Sequence, residues 1–98
     1  MKPKHIKTCI RELLQLTIYH AERVIRVEHK LETLLVHQLK QASTRKDLYM
    51  NILTTAKELN HLATAAILQD THTRIATAYH FEATQRSLAR LLDQLEGA

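Results

Sequence analysis

Residues 6–39, IKTCIRELLQLTIYHAERVIRVEHKLETLLVHQL, decide the fold. Apolar residues return every three or four positions: Ile6, Ile10, Leu13, Leu14, Ala21, Val24, Ile25, Val27, Leu31, Leu34, Leu35 and Leu39. That period belongs to an amphipathic helix, and no glycine or proline interrupts it. The spacing predicts one helix over about residues 3–42. At 1.5 Å per residue it would span ~60 Å, which is long for a chain of 98 residues. Seven-residue positions put Ile10, Val24 and Leu31 on one row, with Leu13, Val27 and Leu34 beside it. These six make a coiled-coil-like seam into which Thr17 and His20 are let. A seam of that length needs a partner along it, so self-association is expected.

Two more apolar-periodic stretches follow. One, about 47–69, carries Leu48, Ile52, Ala56, Leu59, Leu62, Ala63, Ala66 and Ile67 on one face. The other, about 73–96, carries Phe81, Leu88, Leu91, Leu92 and Leu95, with Ile75 and Tyr79 pointing the opposite way. A helix with two apolar faces implies two neighbours or a second copy of the chain. The polar run Ser43-Thr44-Arg45-Lys46-Asp47 marks one break, with Thr44 and Asp47 spaced as a capping box. Asp70 or Thr71 is the candidate N-cap at the second break, and Gly97 fits a helix end.

One glycine and one proline in the whole chain leave little to build hairpins with. The expected fold is all-α: a single domain, 1–98, made of two to three long amphipathic helices and completed by homo-oligomerisation. It is either an up-down-up bundle or a hairpin of roughly 40 and 50 residues that dimerises into four helices. Eleven threonines lower intrinsic helicity, so packing has to supply the rest.

Cys9 is the only cysteine, which excludes an intramolecular disulfide and fits a reducing cytoplasm. No stretch approaches the ~18 apolar residues of a membrane span. The basic N-terminus lacks the apolar region and cleavage site of a signal peptide. Cytoplasmic location and no membrane partner are therefore expected.

Catalytic and metal chemistry find little support in the spacing. Seven histidines are many for this length, but no two stand three or four apart as a helical chelate requires. Glu58-x-x-His61 has the spacing used by di-iron bundles. On the helical wheel, however, both residues point away from the apolar face. Cys9 lies at the edge of an apolar stripe, where cysteine acts as a small hydrophobe. Neither Ser43 nor Ser87 has the strained turn of a nucleophile elbow, and the glycines of a phosphate loop are missing. No catalytic residue, metal or cofactor is assigned. Glu28 falls inside the apolar stripe with Glu32 beside it, so it is either paired or at the rim.

Arg74 and His80, and again Arg23 and His29, stand with five residues between them, which resembles the motif of the helical HEPN RNases. Ile75 and Val24 replace the polar residue that follows the arginine in that pattern, so no role is carried over. Arg45-Lys46-Asp47-Leu48, leading into a leucine-rich helix, resembles small basic bundles encoded in ribosomal RNA intervening sequences and accessory proteins of diversity-generating retroelements. That resemblance likewise assigns no residue.

The formal net charge of +4 is concentrated on the first helix. Lys4, Lys7, Arg11, Arg23, Arg26, Lys30 and Lys40 lie opposite its stripe, and Arg45 and Lys46 continue the same sign. Such a row suits a phosphate backbone or an acidic protein, although no aromatic residue interleaves it for base stacking. The expected function is a non-enzymatic, self-associating interaction module with an anion-binding face. The competing reading is an adaptor or chaperone that takes a partner helix into its apolar seam. A metal-binding bundle or a HEPN-like RNase stands further back.

Overall fold

The computed structural model describes residues 3–41 and 44–97. Within them, the helices are α1 (Pro3–Gln15), α2 (Ala21–Gln41), α3 (Lys46–Ala66) and α4 (Thr71–Glu96), with a single 3-10 turn, Ile18–His20, between α1 and α2. The expected helix over 3–42 is therefore two helices folded back on each other, and its expected end at Ala42 lies outside the described residues. The molecule's longest extent is 45 Å, too short for the ~60 Å that forty helical residues would need.

The break needs no glycine because side chains make it. Thr17 adopts extended backbone at φ −124° and ψ 171°. Its hydroxyl lies 2.9 Å from His20 Nδ1, and the His20 amide donates to the Thr17 carbonyl at 3.0 Å. A threonine side chain of this kind competes with helical hydrogen bonding. The carbonyls orphaned at the end of α1 are taken up from α4. Gln85 Nε2 donates to the carbonyls of Leu13 (3.0 Å), Leu14 (3.2 Å) and Leu16 (2.8 Å). The fold-back also buries Leu16 and Ile18.

Short connections set neighbouring helices antiparallel. α1 packs on α2 and α4, and α3 packs on the same two, so the four form a square up-down-up-down bundle. Ile6, Ile10, Leu13, Val24, Leu31, Leu35, Ile52, Leu59 and Leu88 are fully buried at its centre. All six expected seam residues thus serve the chain's own interior: five are buried, and Leu34 is partly buried against the core. The helix that seemed to need a second chain finds its partners within the first. Ile67, expected on the buried face of α3, is 60% exposed because the helix ends at Ala66.

The two α3 boundaries differ in construction. Thr44 does not cap α3; Arg45 occupies the N-cap in left-handed backbone (φ 65°) with no side-chain capping bond. At the other end Asp70 caps α4 as its sequence suggested, its Oδ1 accepting from the Thr73 amide at 2.8 Å. Arg74 closes α3, donating through Nε to the Ala66 carbonyl at 3.1 Å and through Nη2 to the Gln69 carbonyl at 3.2 Å.

Candidate functional site

The hairpin of α1 and α2 divides the basic row. Arg23, Arg26 and Lys30 remain exposed along α2, facing α1. Arg26 and Lys30, with His5 and His29, rim a shallow groove of about 610 Å³ floored by Cys9 and Leu34. Arg23 reaches Glu12 across the hairpin at 3.5 Å. Arg11 turns towards α4 and pairs with Glu96, and the Arg45 guanidinium donates to the Gln94 carbonyl at 2.8 Å. Those two cations serve the fold. Lys4, Lys40 and Lys46 are exposed towards the end where α1 begins, α2 stops and α3 starts, and Lys7 is half-buried.

The opposite end is apolar. Five of the seven exposed large apolar side chains among the described residues gather there: Tyr19, Ile67, Leu68, Ile75 and Tyr79. Leu68 is 90% exposed, Tyr19 76% and Tyr79 70%. A hollow of about 320 Å³ opens among Tyr19, Arg74, Ile75, Ala78, Tyr79 and Glu82. Sequence periodicity found the second apolar face of α4 through Ile75 and Tyr79. It did not find Tyr19, whose position depends on the 3-10 turn.

The polar motifs resolve as follows. Glu58 and His61 are both exposed, and Glu58 pairs with His80 Nε2 of α4 at 3.2 Å instead of pointing inward. Arg74 is committed to the α3 carbonyls and His80 to Glu58, so the Arg74–His80 spacing brings no pair together. Arg23 and His29 are both exposed on α2, where Arg23 pairs with Glu12. Burial pushes the Cys9 thiol up, with Lys30 opposing and Glu12 reinforcing the shift; a group so disposed is a poor thiolate nucleophile. Glu28 is buried, at 3% exposure. Burial, then the Glu32 carboxylate, push its carboxyl up, while His29 and Lys57 act in the opposite direction. No helix among the described residues is long and apolar enough to cross a membrane.

Comparison of the chain with family models, curated proteins and solved structures finds no match.

Proposed function

We propose that the protein is a small non-enzymatic interaction module that pairs with a second copy through its apolar end and offers the α1–α2 hairpin to an anionic partner. The cluster of Tyr19, Ile67, Leu68, Ile75 and Tyr79 carries this reading. Tyr19, Ile75 and Tyr79 line one hollow, and monomeric proteins seldom leave large apolar side chains gathered in this way uncovered. A second copy suits the cluster by apolarity, since it would offer the same side chains in return. A two-fold axis near Ala78, with the two α4 helices antiparallel, would set the apolar faces carrying Ile75 and Tyr79 against each other. The small Ala78 side chains permit close approach at the crossing.

The seam-based adaptor reading loses its surface, because Ile10, Leu13, Val24, Val27 and Leu31 are buried within one chain. The anion-binding part rests on the exposed Arg23, Arg26 and Lys30, to which Lys4, Lys40 and Lys46 add charge; nucleic acid and an acidic protein both suit it. Sedimentation equilibrium on wild type and on the double variant Ile75→Glu/Tyr79→Glu tests the pairing. The expected result is a dimer for the first and a monomer for the second, with unchanged helicity. Equal masses would overturn it. Arg26→Glu/Lys30→Glu should weaken binding to an RNA or DNA oligonucleotide and flatten its salt dependence.

A further inference from the structure

We infer that Glu28, His29 and Glu32 form a divalent transition-metal site on α2, with His29 also at the rim of the α1–α2 groove. Each residue has a ligand atom within 4.8 Å of the others'. The spacing explains how one helix supplies all three. Glu28 and Glu32 are one turn apart, His29 and Glu32 three residues apart, and both separations stack side chains on one face.

Glu28 is what distinguishes this group from a chance surface cluster. It is 3% exposed, yet no hydrogen bond from any described residue reaches its carboxylate. Its nearest charged partner, His29 Nδ1, is 4.0 Å away, beyond hydrogen-bonding reach. A carboxylate so largely buried, with no hydrogen bond from the protein, is costly unless water or a cation serves its oxygens. The oxygens are not sealed, since no fully enclosed side-chain oxygen lacks a partner.

The ligand set selects the ion's class. One imidazole and two carboxylates suit Mn²⁺, Fe²⁺, Co²⁺ or Zn²⁺ better than soft Cu⁺, which prefers sulfur. Ligand bonds of about 2.1 Å bring ligand atoms to about 3 Å from one another, so the group must contract. The buried Glu28 is the fixed point. His29 is exposed and can rotate inward, whereas the Glu32 side chain, one-third exposed, must first leave Lys57. Lys57 Nζ, 3.5 Å from Glu32 Oε1, is the competitor that the ion displaces. A divalent ion neutralises the two carboxylates. Searching the sequence for histidine pairs missed this group because it uses one histidine.

Calorimetric titration with Zn²⁺, supported by the visible absorption of Co²⁺, tests the assignment on the full chain. The expected result is one saturable site per chain, weakened at least tenfold in His29→Ala and in Glu28→Gln. Lys57→Met should bind several-fold more tightly. His61→Ala, which removes an exposed histidine on α3, should bind like wild type. His29 is on the surface, so its variant keeps the fold even if Glu28→Gln does not. Absence of saturable binding, or equal loss in His29→Ala and His61→Ala, would overturn the site.

Discussion

The two ends of the bundle solve one problem in opposite ways. Each must reverse the chain between helices without a glycine in the turn. At the apolar end the reversals are held by distant side chains: Gln85 on the α1 carbonyls, Arg74 on those of α3, and Asp70 capping α4. Gln69 adds a fourth tie, accepting from the Thr77 hydroxyl at 2.6 Å. At the basic end, Arg45 stands in left-handed backbone and donates to the Gln94 carbonyl. Backbone order and apolar exposure are thus compatible. Tyr19, Ile75 and Tyr79 project from the end held by these ties, which presents them as a pre-organised surface.

Loss of a core side chain should loosen both ends of the bundle together. Leu88 is fully buried at the centre of α4. Leu88→Ala should cost about 2–5 kcal/mol in urea unfolding and lower the protection of both ends together. Gln85→Ala comes next, at about 1–3 kcal/mol, because it strips carbonyls of their donor in a half-buried place. Its signature is local: hydrogen exchange should quicken at residues 16–20 before it changes near Arg45. Uniform quickening would contradict the clamp.

Arg45 sharpens the other side. Arg45→Ala keeps the left-handed backbone and loses the bond to Gln94, for about 0.5–1.5 kcal/mol. Arg45→Gly loses the same bond but relieves the backbone, so it should be the more stable of the two. The opposite order in thermal unfolding would show that the positive φ carries no cost.

The smallest effect is a pH dependence at Asp70. Hydrogen bonds from Thr73, first through its amide, hold this carboxyl below its ordinary value of 3.8. The folded pKa therefore lies below the unfolded one. The cap's stabilisation is complete above the unfolded value and lost as pH falls through the folded value, below about pH 4. Asp70→Asn, which keeps a capping oxygen without titrating, should flatten that part of the stability profile. A profile unchanged from wild type would remove the role.

Much of this was legible in the residues. The all-α class followed from periodicity and from the lack of glycine and proline, and the Asp70 cap from residue type. Ile75 and Tyr79 announced the second face of α4. The hairpin in place of one long helix was not legible. Thr17 and His20 looked like polar insertions in a seam, whereas they shape the reversal, and its other half is Gln85, about seventy residues away. The oligomer seam failed for the same reason: apolar period tells which face is buried, not which chain buries it. The neighbourhood of Glu28 was visible as an oddity, but its burial and lack of hydrogen bonds required the packed structure.

Light-scattering mass on a sizing column at 50 and 500 mM salt, with absorbance at 260 and 280 nm, shows whether two copies pair and whether an anionic partner comes with them. The chain has three tyrosines and no tryptophan, so bound nucleic acid would dominate its absorbance. A dimer is expected at both salts, because the pairing surface is mainly apolar, with loss of any co-purified nucleic acid or other anionic partner at the higher salt. A monomer at both salts would contradict the pairing.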